Sequence, residues 1–367
     1  MPSFAQRIIS WQRQHGRHDL PWQGADAYRV WLSEIMLQQT QVATVIPYYQ
    51  RFVTSFPEIA ALAATSEDSV LAHWSGLGYY SRGRNLHRAA RIIMQRHGGQ
   101  FPRDFDDIIS LPGIGRSTAA AISALAFHQR CAILDGNVRR VLARYCAIEG
   151  YTGDKNIEAQ LWQQAEVLLP PPSAGKRCSS NNSIAPYTQG LMDLGATICT
   201  RTKPDCDACP VQKDCGAYQG GRVTHLPTPR PRKPLPEKNS TFLLLMHGND
   251  ILLEKRPGSG IWGGLWCLPQ FEDEAAVLVW SVQQGIEFRH SRAGGNPAKL
   301  KSKCKALPSF THAFTHFKLH IAPLLVQVTH KPIQVQESGW IWLDVEEALH
   351  AAIPKPVRRL LEEAILV

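Results

Sequence analysis

Four cysteines fall within 17 residues, spaced C-x6-C-x2-C-x5-C as Cys199, Cys206, Cys209 and Cys215, with Pro204 and Pro210 turning the chain between them. Four thiolates in one compact loop call for a soft metal centre. Zinc is one occupant, but zinc sites usually pair two short-spaced couples; gaps of six, two and five fit the wider perimeter of an iron-sulfur cubane. A second feature is Leu111-Pro112-Gly113-Ile114-Gly115, followed by Arg116, Ser117, Thr118 and the small-residue run 119–126. It reads as a helix, a glycine turn and a new helix start. Glycines let the backbone approach a ligand, and the unpaired N–H groups of the new helix favour an anion. Such turns also merely join packed helices. As an anion site, its natural ligand is DNA phosphate, which gives register without sequence.

These features need elements to hold them. Apolar residues recur at helical spacing over 28–42, 45–52, 66–73, 84–97, 105–110, 117–127 and 137–146, so the first domain, 1–221, is expected to be all helical. Residues 222–238 hold five prolines and five Arg or Lys against one acid, Glu237, and read as an extended basic linker. Beyond it, 241–246, 251–254, 315–328 and 339–343 read as strands, followed by helical signals at 346–350 and 357–365. That predicts an α+β second domain over 239–367. Two stretches, 170–183 and 289–305, look like inserted surface loops, and there is no internal repeat.

Composition agrees with this plan. The 367 residues are 44% apolar, enough for two cores, and 40 basic against 31 acidic residues leave +9, which favours a polyanionic partner. The other five cysteines, Cys131, Cys146, Cys178, Cys267 and Cys304, are scattered, unlike a secreted disulfide framework. Residues 1–14 carry no signal-peptide pattern and no apolar run approaches a membrane span, so a cytoplasmic protein without membrane contact is expected.

The cysteine spacing, the glycine hairpin and Leu134-Asp135-Gly136-Asn137 together resemble the helix-hairpin-helix DNA glycosylase superfamily of endonuclease III. Within it, the run from Trp31 through Glu34 to Val42 is similar to the adenine DNA glycosylase, or MutY, family. The likeness extends from Leu20-Pro21-Trp22 to Cys215 and resumes at Gly260-Ile261-Trp262-Gly263-Gly264-Leu265-Trp266. It implies a [4Fe-4S] cluster on the four cysteines, and excision of adenine mispaired with 8-oxoguanine or guanine in double-stranded DNA by a monomeric enzyme.

Breaking a purine's glycosidic bond needs a proton on the base and a negative charge beneath the sugar as it becomes cationic. Glu34 lies with Val30 and Trp31 one turn back and Leu37 ahead, an apolar face that should raise its pKa. Asp135 opens the helix of Val138, Val141 and Leu142, where backbone N–H groups should favour its charged form. Taken alone, the first reads as a solvated helix charge and the second as a cap. The resemblance makes Glu34 the proton donor, Asp135 the stabiliser of the cation and Asn137 their support. Bifunctional relatives carry a lysine where Ser117 stands, and a hydroxyl forms no Schiff base. Endonuclease III-like enzymes also usually have glutamine where Glu34 stands, so both positions favour base removal without strand cutting.

The target base must be flipped out of the duplex. The resemblance assigns Gln39, Thr40, Leu77 and Tyr79 to the wedge around 8-oxoguanine, and Trp22 and Gln189 to the wall of the adenine pocket. Gly113, Gly115 and Ser117 fall to the DNA-binding hairpin, with Arg201 and Lys203 directed toward phosphates. Core packing is the plainer reading of Leu77 and the tyrosines. The second domain resembles a Nudix fold without the Arg-Glu-x-x-Glu-Glu run that binds magnesium. Its Thr315 and His316, in Phe314-Thr315-His316-Phe317, replace a family Phe-Ser-His, keeping the hydroxyl and adding a methyl. The rivals are an endonuclease III-type glycosylase and lyase, a non-catalytic iron-sulfur DNA-binding protein, and a nucleotide hydrolase built on the second domain.

Overall fold

The structure, a computed structural model, describes residues 2–172, 183–230, 234–286, 303–332 and 339–365. The two expected inserted loops lie for the most part outside them. The helices are α1 (Phe4–His15), α2 (Ala27–Leu37), α3 (Val42–Ser55), α4 (Ile59–Ala64), α5 (Glu67–Trp74), α6 (Ser81–Arg96), α7 (Phe105–Ser110), α8 (Arg116–Phe127), α9 (Gly136–Tyr145), α10 (Lys155–Val167), α11 (Ile184–Asp193), α12 (Gly216–Gln219), α13 (Glu274–Gln283), α14 (Val345–His350) and α15 (Lys355–Ile365). The strands are β1 (Glu237–His247), β2 (Asp250–Lys255), β3 (Trp266–Cys267), β4 (Gln270–Phe271), β5 (Lys303–Ala306), β6 (Phe310–Ala313), β7 (Lys318–Gln327) and β8 (Trp340–Asp344).

The chain forms two compact units. One takes 1–64 and 85–232, the other 65–84 and 233–367, so the division passes inside α6 as well as through the basic segment. A boundary at 222 alone does not foresee that 65–84 joins the second unit. The segment 222–238 is also more engaged than a free linker: Tyr151 and Thr228 form a bridge, and β1 begins at Glu237.

In the first unit, short polar side chains start the helices by accepting orphan backbone N–H groups. Ser3 and Gln6 make a reciprocal capping box on α1, and Asp26, Asp104, Asp135 and Asp154 cap α2, α7, α9 and α10. The helix expected over 28–42 stops at Leu37. Gln39 is left-handed at φ 57° and Gln41 is extended, so the chain turns before α3. The core joins Phe4 and Ile8 of α1 to Tyr187 and Leu191 of α11 and to Ala120, Ala121 and Ala124 of α8. These alanines leave no bulk to hold neighbouring helices apart, which is why α8 can lie centrally against both α2 and α11.

In the second unit β1 pairs parallel with β7, and the other pairings are antiparallel. Phe242 to Met246 are buried throughout, as a strand covered on both faces requires. Leu243, Leu245, Leu252, Val277 and Val326 form one core beneath Trp280, Trp340 and Trp342. The strand expected from 315 starts only at Lys318, because Phe314 and Phe317 stack at 4.3 Å and the Phe314 N–H donates to the Phe317 carbonyl at 2.9 Å. Thr315 and His316 therefore sit at the tip of the β6–β7 turn.

After α11 the chain makes one π-helical turn, Leu194–Ile198. A Cβ at Gly195 would stand 2.6 Å from the Asn137 Cβ and 2.9 Å from the Asn137 carbonyl oxygen. Gly195→Ala should therefore destabilise the fold by about 1–3 kcal/mol through overpacking. A thermal midpoint within a degree of wild type would show that the contact yields freely.

Candidate active site

A cavity of about 1570 Å³, counting its open mouth, lies in the first unit, and it gathers Glu34, Asp135, Asn137, Ser117, Thr40, Trp22 and Gln189 on its walls. Glu34 comes from α2 and makes no hydrogen bond with the described residues. Burial pushes its pKa up to about 8, and the Asp135 carboxylate across the cavity adds to the rise. Asp135 caps α9, its Oδ1 accepting the Val138 N–H at 2.8 Å. Here one expectation needs correction: the helix-start N–H groups do not prevail. Burial raises the Asp135 pKa as well, although Val138, Arg140, Asn137 and Arg139 pull it back. The asymmetry survives because only Asp135 has these compensating partners. When one proton is shared between the two, it belongs on Glu34 and the charge on Asp135.

Asn137 accepts from Arg140 Nη2 at 2.8 Å through Oδ1. The same guanidinium donates to the Gly195 carbonyl at 2.6 Å and the Cys199 carbonyl at 2.7 Å. One turn on, Arg144 donates to the Thr200 carbonyl at 2.7 Å and to Cys199 Sγ at 3.2 Å. Helix α9 thus carries the cavity's carboxylate at its start and grips the cysteine loop further along.

Cys199, Cys206, Cys209 and Cys215 line a second space of about 410 Å³ with Val141, Leu194 and Ile198. Among the described residues no three His, Cys, Asp or Glu side chains converge on a single-ion position. Four soft donors around one apolar space are a donor set that fits an iron-sulfur cluster. Arg201, just past the first cysteine, lines the cavity of Glu34, and Lys203 is exposed.

At the hairpin, Gly113 has φ 82°, and a Cβ there would meet the Asn85 Cβ at 2.9 Å. Gly115 caps α8 without a side-chain bond, leaving the first N–H groups of the helix open on an exposed turn. Ser117 is more constrained than its sequence suggests: its Oγ accepts the Leu134 N–H at 3.0 Å. Gln39 is exposed beside the cavity.

The remaining expected residues lie in the second unit. Tyr79, Thr315 and His316 share a cavity of about 1430 Å³ with Trp262, His312 and Phe314, whereas Leu77 is 6% exposed and lines neither cavity. Sequence reasoning missed Arg17, Arg140, Asp193 and Gln38, all polar groups that act through partners distant in sequence. Gln38 Nε2, for instance, lies 3.3 Å from Thr118 Oγ1. Only Asp193 left a local signal, four residues after Gln189 on one helix face.

A raised pKa has a stability consequence. Glu34 titrates near 4.5 unfolded and about 8 folded, so the fold must keep it protonated through the interval. Its cost is absent below the unfolded pKa and grows as pH rises toward the folded one. Glu34→Gln should therefore melt with wild type at acidic pH and outlast it at pH 8, by on the order of 1–4 kcal/mol. Coincident melting at pH 8 would contradict a half-buried Glu34 whose carboxyl has no hydrogen-bond partner.

Residues 32–166 match the HhH-GPD superfamily of base excision DNA repair proteins, and 241–363 match the NUDIX domain. The chain is 39% identical over 361 residues to an adenine DNA glycosylase of Buchnera aphidicola subsp. Acyrthosiphon pisum, covering 98% of this chain and 97% of that protein. It is 32% identical to a Homo sapiens adenine DNA glycosylase, over 98% of this chain and 73% of the human one. Among solved structures, a thermostable thymine-DNA glycosylase superposes with a TM-score of 0.50 at 29% identity, over 59% of this chain and 95% of that one.

Proposed function

The chain belongs to the adenine DNA glycosylase family, and on that premise we propose how its residues remove a base. It is a DNA N-glycosylase of base excision repair. The substrate we assign is adenine opposite 8-oxoguanine or guanine in duplex DNA, engaged by one copy of the chain in the cytoplasm. No helix among the described residues is long and apolar enough to cross a membrane.

The observation that carries the reading is Glu34: a carboxyl without a hydrogen bond, its pKa pushed up to about 8 by burial, in one cavity with a capped Asp135. Glu34 delivers its proton to the flipped adenine, improving the leaving group. The Asp135 carboxylate then faces the sugar as positive charge develops, and Asn137 and Arg140 hold the start of α9 in place. Trp22 and Gln189 bound the base, while the open N–H groups after Gly115, with Gly113 shaping the turn, hold a backbone phosphate. Gln39, Thr40, Leu77 and Tyr79 are assigned to the gap left in the duplex, and Thr315 and His316 to 8-oxoguanine. With Ser117 in place of a lysine, the sugar meets no amine, which argues against a lyase.

Cys199, Cys206, Cys209 and Cys215 would hold a [4Fe-4S] cluster, which would fix the loop presenting Arg201 and Lys203 to phosphates. Purified protein is then expected to be brown. Cys199→Ser should lose iron and DNA affinity together; a colourless, zinc-loaded and fully active protein would rule the cluster out.

Single-turnover excision from a duplex with adenine opposite 8-oxoguanine tests the reading. Glu34→Gln should slow it by about 10²- to 10⁴-fold while binding persists. Since the protonated acid is the active form, the wild-type rate should fall as pH rises through about 8. A rate for Glu34→Gln within about threefold of wild type lies below the range for a general acid and would remove Glu34 from the chemistry.

A further inference from the structure

Behind the wall of the adenine cavity lies a buried acid that the mechanism above does not use. Asp193, at the end of α11, is fully buried. Arg17 surrounds it, donating its backbone N–H to Oδ2 at 3.0 Å and its Nε to Oδ1 at 2.8 Å, with Nη2 2.6 Å from Oδ1. Oδ1 also accepts from Gln189 Nε2 at 2.9 Å. Gln189 is 8% exposed, and it lines the cavity alongside Arg17.

This arrangement sets the direction of an amide. A carboxylate only accepts hydrogen bonds, so the Gln189 NH2 end must face Asp193. Turning the amide over would bring two acceptor oxygens to hydrogen-bond distance in a buried place. The carbonyl oxygen, which makes no hydrogen bond with the described residues, is the end left to the cavity. Three contacts from Arg17 hold Asp193 in place, so the direction does not depend on the ligand.

We propose that Asp193 is a positioning residue that locks the Gln189 carbonyl oxygen toward the base, so that the site selects a purine bearing an exocyclic amino group. This rests on the adenine reading and deepens it. An amino group donates to the waiting acceptor. A purine with a carbonyl at that position would set two acceptors face to face, and one with hydrogen there would leave the amide oxygen unpaired.

The test compares single-turnover excision of adenine and of unsubstituted purine, each opposite 8-oxoguanine, and reads only the ratio of the two rates. Intrinsic differences between the leaving groups cancel when variants are compared. Asp193→Asn, nearly isosteric, offers Gln189 an amide that can accept or donate and so frees its direction. The adenine-to-purine ratio should fall by about tenfold, the worth of one hydrogen bond. Gln189→Met, which deletes the carbonyl and leaves both partners of the Arg17–Asp193 ion pair in place, should lower the ratio equally. The double variant should lower it no further, because Asp193 acts through Gln189.

Equal loss of both rates in Asp193→Asn would mean that Asp193 merely supports the fold and would overturn the proposal. Should that variant not fold, an unchanged ratio in Gln189→Met overturns it just as well. Failure of the wild type to excise adenine at all would instead sink the functional reading. Normal wild-type excision with an insensitive ratio sinks only this inference.

Discussion

A carboxyl group whose pKa burial lifts to about 8, with a second acid in the same cavity, is the constraint around which the first unit's cavity is arranged. Glu34 is placed on α2 among apolar residues with no hydrogen-bond partner. That placement costs stability, since the side chain would ionise freely in an unfolded chain. A neighbouring acid raises the cost further, yet the proposed chemistry needs both groups: one to give a proton and one to stay negative. Their separation in role comes from unequal company. Asp135 has the N–H groups of α9 and two arginines within reach of its charge, and Glu34 has none of these.

Helix α9 therefore has work at both ends. Its first residues present Asp135 and Asn137, while Arg140 and Arg144, one turn apart on one face, bind the carbonyls and first sulfur of the cysteine loop. The π turn at Leu194–Ile198 lets Gly195 come against Asn137 where any side chain would intrude. Displacing the loop pulls directly on the helix that aims the carboxylate. A metal centre here need not touch the substrate to matter: it would set the position of α9 through two arginines.

Legibility from sequence followed the range of the interactions. Cys199 to Cys215, the glycine hairpin and the apolar face around Glu34 are local patterns, and each could be read from spacing alone. The apolar spacing over 28–42 overruns α2, because the turn at Gln39 is made by a non-glycine residue in a left-handed conformation that leaves no compositional mark. The rise in the Asp135 pKa leaves no mark in the sequence, because cap geometry is local but burial is not. Arg17, Arg140 and Asp193 escaped for the same reason: each takes its meaning from a partner tens of residues away or more. The membership of 65–84 in the second unit is likewise a tertiary fact.

Ser117 illustrates how far one position can be tied to a single chemistry. From sequence it is only the absence of an attacking amine. In the structure its hydroxyl lines the cavity and accepts the Leu134 N–H, the last backbone donor before Asp135. A lysine ammonium has three donors and no acceptor. Replacing the serine would leave that N–H without its partner and set a cation in the cavity of the Asp135 carboxylate. Gaining an amine at this point thus disturbs the peptide that carries Asp135. The absence of an amine here is tied to the backbone leading to Asp135, as well as to the identity of one side chain.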